Sequence, residues 1–101
     1  MNLSQMNQAR ELKAKMDKIQ EELSNTIVEA NSGKGAVKVT VDGQQKIRSI
    51  EISPKVIDPD KAKVLEELVL KAVSEALAKS QKAASKQLKS LTGGLNMPGL
   101  F

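Results

Sequence analysis

Four lysines near the C-terminal end, Lys79, Lys82, Lys86 and Lys89, step by three, four and three. On a helix of 3.6 residues per turn this spacing places them on one face, in a stripe about 15 Å long at ~1.5 Å per residue. No carboxylate follows Glu75, so nothing within or beyond the stripe neutralises them. A row of uncompensated ammonium groups is suited to binding anions. Duplex DNA, with a negative charge every ~1.7 Å along its axis, offers such a row several phosphates. The plainer account of a charge run is a solubilising helix face. Ordinary solvated faces mix both signs, however, and this one does not, which favours anion binding.

The distribution of charge points the same way. Met1 to Glu75 holds 12 basic and 12 acidic residues, so the net charge of +4 lies entirely in the last quarter of the chain. An asymmetry of this kind favours an anionic partner for that end. The residue types also limit how that partner is read. Lysine is a point charge, whereas bidentate recognition of guanine is mainly arginine's role. Arg10 and Arg48 are the only arginines, and Arg48 falls on an expected strand, where it reads as a solvated or cross-strand charge. Phe101 is the sole aromatic residue, which leaves no platform for stacking bases. What remains is binding to duplex dominated by phosphate contacts.

Enzymatic chemistry finds little support. Without cysteine or histidine, the chain lacks thiolate nucleophiles, imidazole bases and the usual zinc ligands. Asp58 and Asp60 are better placed to start a helix, and Glu66-Glu67 lies in early helical turns, where acids are favoured. Gly33-Lys34-Gly35 is far from a phosphate-binding P-loop. The four methionines read as core or chain ends. The expectation is a non-enzymatic protein with no catalytic residue, metal, cofactor or small-molecule substrate.

The elements that position the lysines follow from periodicity. From Asn2 to Leu23 a first helix is expected: Leu12, Met16, Ile19 and Leu23 form one apolar seam, with charged residues between them and Ser4 as a partial N-cap. Asn25 to Asn31 is expected as the first strand, and Ser32 to Gly35 as a turn. Val37 to Val41 alternates apolar and polar residues, breaks at Asp42-Gly43 and resumes at Ile47 to Ile52, the pattern of a β-hairpin. Asp58-Pro59-Asp60 opens a second helix that runs to about Leu91. Leu65, Leu68, Val69, Ala72, Val73, Ala76 and Leu77 give its first half a wide apolar face for covering a sheet. Beyond Ala78 that face thins, and the helix is expected to project. Thr92-Gly93-Gly94 stops it. The reading is one α+β domain over residues 1–94, a three-stranded antiparallel meander with a long helix at each end, followed by a mobile tail, 95–101.

On the last strand Ile47 has one parity, while Ile50 and Ile52 have the other. Either a bulge lies near Arg48-Ser49 or the strand buries apolar groups on both faces. Together with the small aliphatic core, this predicts a homodimer with Ile47, Ile50 and Ile52 at its interface. The N-terminus lacks the features of a signal peptide, and no apolar run approaches the roughly 20 residues that span a bilayer. A soluble cytoplasmic chain without membrane attachment is expected.

The ordered set of motifs resembles the YbaB/EbfC family of bacterial nucleoid-associated proteins over nearly the full chain. It comprises Met6-Asn7-Gln8-Ala9 and Met16 to Leu23 in the first helix, G-x-V-K-V-T-V-D-G at the hairpin, and I-x-I-S-P after it. L-E-E-L-V-L-K-A-V-S-E-A-L in the second helix and L-T-G-G-L-N-M-P-G-L at the end complete the set. The family's glycine- and lysine-rich leader is missing. The resemblance implies a tweezer-like homodimer of α-β-β-β-α protomers in the cytoplasm and nucleoid, binding DNA in chromosome organisation or gene regulation. It places DNA contacts on the helical arms, which here means Lys79, Lys82, Lys86 and Lys89, and then Arg10, Lys13 and Lys18. The competing reading is a structural or adaptor dimer that binds another protein through the ends of its helices.

Overall fold

Val37, Val39 and Val41 alternate with Lys38 and Thr40. In the computed structural model, which describes residues 3–91, all three valines are completely buried. They form the spine of a three-stranded antiparallel sheet of β1 (Ile27–Ser32), β2 (Val37–Asp42) and β3 (Ile47–Ile52), with β2 in the middle. Helix α1 (Leu3–Ser24) precedes the sheet and helix α2 (Ala62–Leu91) follows it. The expected order of helix, meander and helix is therefore the one observed. The helix stop at Thr92-Gly93-Gly94 and the tail 95–101 lie outside the described residues, as does Asn2. Ser4, expected as an N-cap, is already inside the first turn of α1.

Cross-strand partners share a face. Val28 pairs with Val41, Ala30 with Val39 and Ser32 with Val37, so these six residues line one side of β1 and β2. α2 packs chiefly across those two strands. Ala72 and Ala76, both fully buried, let the helix backbone lie close to the valines, and Leu65, Leu68, Val69, Val73 and Leu77 close the margins. The opposite side of the sheet is polar: Thr40 and Ser49 share a hydrogen bond of 2.6 Å, and Lys38 stands opposite Glu51.

The parity problem in β3 is resolved by a bulge. Thr40 pairs with Ser49 but Val41 pairs with Ile47, which leaves Arg48 as the extra residue. Ile47, Ile50 and Ile52 consequently face the same side as the valines, and the strand does not bury two faces. Because α2 lies over β1 and β2, Ile47 and Ile50 remain 46% and 45% exposed there.

Two tight turns, Pro54–Val56 and Pro59–Lys61, lead from β3 into α2. As expected, Asp58 caps the second of these, its carboxylate accepting the Asp60 N–H at 3.0 Å, with Pro59 in the first position. The radius of gyration is 19.0 Å, against about 13 Å for a compact domain of this length. The elongation comes from the length of α2, about 45 Å at ~1.5 Å per residue, and from α1, in which every residue from Leu3 to Lys15 is exposed and the buried contacts are made by Ile19 and Leu23 near its end. α2, by contrast, stays packed well beyond Ala78. Ser80 is fully buried and Gln87 is half-buried, accepting a hydrogen bond of 2.6 Å from Thr26. The projecting arm is thus α1, and the expectation that α2 outruns the body at Ala78 is corrected: polar contacts there join the half-buried Ala83, Ala84 and Leu88. Among the described residues no helix is long and apolar enough to cross a membrane.

Candidate nucleic-acid interface

The lysine stripe is built by α2. At about 100° per residue, Lys79, Lys82, Lys86 and Lys89 fall within an arc of about 80°, and all four are exposed. Lys82, Lys86 and Lys89 line one shallow groove together with Ala78, Gln81 and Ser85. The small residues Ala78 and Ser85 leave room between the lysine stems for a polyanion to approach the helix. Lys79 stands apart from the other three. Its ammonium donates to the main-chain oxygen of Glu29 at 3.0 Å and is tied to the edge of the sheet.

The basic residues of α1 do not form a single surface. Arg10 and Lys13 are three residues apart and share a side, whereas Lys18 lies about 140° round the helix from Lys13. All three are exposed. Lys18 is also roughly 12 Å nearer the sheet than Arg10, at ~1.5 Å per residue. The structure therefore brings together Lys82, Lys86 and Lys89, sets Lys79 apart from them, places Arg10 and Lys13 on one side of α1, and separates Lys18 from that pair.

The two flanks of α2 have different characters. Leu68 and Lys79 mark the side above β1, since Leu68 lies beside Gly33 and Lys79 reaches Glu29. The other flank, turned toward β3, carries Leu70, 67% exposed, and the half-buried Val69 and Val73, which line an apolar hollow with Ala62, Leu65 and Glu66. Ile47 and Ile50 are exposed on the same side of the sheet, and Ile52 is half-buried against the core. The three isoleucines singled out from the sequence thus lie beside an uncovered apolar helix flank, on the side of α2 turned away from the lysines.

Between the two helices lies a polar joint that the sequence patterns do not disclose. Asp42 is completely buried. Its Oδ1 accepts the N–H groups of Gln44 at 2.8 Å and Lys46 at 3.1 Å, and its Oδ2 accepts Arg48 Nε at 2.9 Å. Burial by itself raises the carboxyl's pKa; the Lys46 and Gln44 N–H groups and the Arg48 guanidinium outweigh it and hold the group below its usual range. Ser80 of α2 donates to the Asp42 carbonyl, and Gly43 N–H donates to the Leu23 carbonyl of α1 at 2.8 Å. Gly43 is required for this close approach: a Cβ there would lie 2.6 Å from that carbonyl oxygen. The left-handed residue of the turn is instead Gln45, at φ 64°. An Asp-Gly pair between two strands signals a hairpin, and nothing in its local pattern shows that a helix end docks on it. Among the described residues no cluster of three or more acidic, histidine or cysteine residues is placed to hold a metal ion.

Comparison with known proteins gives this arrangement a context. The model of the YbaB/EbfC DNA-binding family matches residues 1–95. A nucleoid-associated protein of Pelotomaculum thermopropionicum is 45% identical over 99% of this chain and 96% of its own length. One from Desulforamulus reducens is 47% identical over 95% of this chain and 91% of its own. Among solved structures, an uncharacterized Helicobacter pylori protein, HP0035, superposes with a TM-score of 0.75 over 92% of this chain and 99% of that one. At 17% identity it bears on the fold alone.

Proposed function

The chain belongs to the YbaB/EbfC DNA-binding family, and we propose that it is a nucleoid-associated protein that binds duplex DNA as a homodimer, mainly through phosphate contacts. The observation that carries this reading is the groove on α2 in which Lys82, Lys86 and Lys89 converge around Ala78 and Ser85. Three ammonium groups over eight residues span about 10 Å of helix, enough to meet successive phosphates. Arg10 and Lys13 on the α1 arm supply a second, smaller basic surface, with Lys18 and Lys79 peripheral to the main contact. The described part of the chain has no aromatic residue to offer as a stacking platform, and lysine contacts position a protein on DNA without reading sequence.

The second protomer fits the other flank of α2. Leu65, Val69, Leu70 and Val73, beside Ile47 and Ile50, make an apolar face that a copy of the same surface would cover. Since that face and the lysine groove lie on different flanks of α2, pairing would leave both grooves open and double the number of phosphates met. Such a protein acts in the nucleoid, in the cytoplasm, on chromosome organisation or gene regulation, with no catalytic step.

The test is a mobility-shift titration of random-sequence duplex over a range of salt. The expected result is a complex at low salt whose log affinity falls linearly with log salt, by about 0.9 for each phosphate neutralised. Absence of a complex at low salt would favour the adaptor reading, in which the helices contact another protein.

A further inference from the structure

Arg48 is an exposed cation on a DNA-binding protein, which makes it an obvious phosphate contact. Its geometry indicates a different role. Nε lies 2.9 Å from Asp42 Oδ2, and Nη2 donates to the Ser24 carbonyl at the end of α1, 3.1 Å away. The guanidinium therefore faces inward and links the hairpin to the helix. The backbone is arranged for this contact. Without Arg48 the strand would read Ile-Ser-Ile-Glu-Ile, a perfect alternation, and the bulge exists because one further residue is inserted there. Bulges re-aim a side chain, and this one aims Arg48 at the joint.

The end of α1 needs such partners. The last carbonyls of a helix find no N–H donor within it and must be met from elsewhere. The hairpin supplies donors to two of them, Gly43 N–H to Leu23 and Arg48 to Ser24, and the Gln44 side-chain amide adds a bond of 3.1 Å to Gln20 one turn back. A cation at this end also complements the helix dipole. Ser80 ties the same hairpin to α2 through the Asp42 carbonyl. One polar joint thus connects the two helices that carry basic residues.

Its leverage is large because, among the described residues, the buried contacts of the arm lie near its end, at Ile19 and Leu23 beside this joint. α1 is exposed from Leu3 through Lys15, so its direction is set at its last turns. Leu3 lies about 30 Å from Leu23 at ~1.5 Å per residue, and a rotation of about 10° at the joint displaces it by about 5 Å. A shift of that size changes which phosphates Arg10 and Lys13 reach while α2 holds its own.

We propose that Arg48, held by Asp42, is a positioning residue: it fixes the direction of the α1 arm relative to the α2 groove and acts on nucleic-acid binding without touching phosphate. The proposal rests on the duplex-binding reading given above. Lysine at this position keeps the charge but cannot span both acceptors as a rigid fork, so it separates positioning from direct contact.

The chain has no cysteine, so Glu11→Cys on α1 and Ser85→Cys on α2 give a spin-labelled pair for distance measurement, with labelled chain diluted into unlabelled chain. Without DNA, Arg48→Lys and Arg48→Gln should both broaden the distance distribution. Gly43→Ala, which disturbs the joint and leaves Arg48 in place, should displace it. In duplex titrations the two Arg48 variants should lose affinity by a similar factor, roughly 2- to 30-fold as for residues that act without contacting ligand, with the salt slope unchanged. The proposal is overturned by a wild-type distance distribution in all three variants. It is equally overturned if Arg48→Lys binds like wild type while Arg48→Gln flattens the slope by about 0.9. Failure of the unsubstituted chain to bind duplex would overturn the functional reading, and the distance measurement would still decide the joint on its own.

Discussion

Lys79 and Glu29, fifty residues apart in sequence, are joined by a 3.0 Å hydrogen bond from the ammonium to the main-chain oxygen. That bond divides the lysine stripe into a member that braces the sheet edge and members that line the open groove. Changing Lys82 and Lys86 together to glutamate should weaken binding to every duplex by a similar factor. The slope of log affinity against log salt should flatten by about 0.9 for each phosphate no longer neutralised. Lys79→Gln should flatten it less than Lys82→Gln or Lys86→Gln. A salt titration on two unrelated duplexes reads both effects, and circular dichroism should show the fold intact.

A homodimer seated on the apolar flank of α2 makes a second expectation. Leu70 is 67% exposed in the protomer, so Leu70→Glu places a charge in solvent when the chain is alone and in the interface when it is paired. Sedimentation at micromolar concentration should give twice the chain mass for wild type and the single mass for the variant, with helicity retained. Ile50→Lys should act in the same direction. A wild-type chain that sediments as a folded monomer would exclude the interface.

Asp42 should make stability depend on acid in a defined direction. Its folded pKa lies below the ordinary value of 3.8. It therefore adds stability that is fully present above the ordinary value and is lost as pH falls through the folded one. Asp42→Asn removes that contribution. Denaturant midpoints of wild type and variant should differ most near neutrality and converge as the pH drops below the usual carboxylate range.

Ser80 offers a test of the joint from the side of α2. Ser80→Ala should cost about 1 kcal/mol, the net value of one hydrogen bond, because the Asp42 carbonyl still accepts the Gln45 N–H at 3.0 Å. Ser80→Val, at a site with no exposure, adds carbon where the packing is closed and should cost about 1–3 kcal/mol. Urea unfolding measures both.

The sequence discloses the parts of this fold that rest on local pattern. Val37, Val39 and Val41 announce the inner face of β2 because a strand has a period of two. Asp58-Pro59-Asp60 announces the approach to α2 because a cap and a proline leave few alternatives. The clustering of Lys82, Lys86 and Lys89 is likewise legible from helical spacing. What depends on tertiary docking is not. The packed region of α2 extends further than its apolar pattern indicates because Ser80 and Gln87, polar residues, pack on its inner side together with the half-buried Ala83, Ala84 and Leu88. Asp42 looks like an ordinary turn residue until the end of α1 is set against it. The parity of Ile47 against Ile50 and Ile52 admits a bulge or a two-faced strand, and only the pairing of Val41 with Ile47 shows that Arg48 is the residue left over.

Position 48 also bears on how the chain tolerates changes in length. A single-residue deletion within a regular strand turns every following side chain to the opposite face. Deleting Arg48 does the reverse: it removes the one residue out of step, leaving Ile47, Ser49, Ile50, Glu51 and Ile52 in an unbroken ladder against Val41 to Val37. Deleting Ser49 keeps the same three isoleucines inward and sets Arg48 opposite Thr40 on the polar face. Deleting Ile50 or Glu51 instead turns Ser49 inward against Val39, so a deletion scan through β3 should be tolerant at 48 and 49 and intolerant at 50 and 51. The chain shortened at 48 would keep its sheet and lose only the clasp on α1, a natural starting point for proteins that share this scaffold but carry their first helix at another angle.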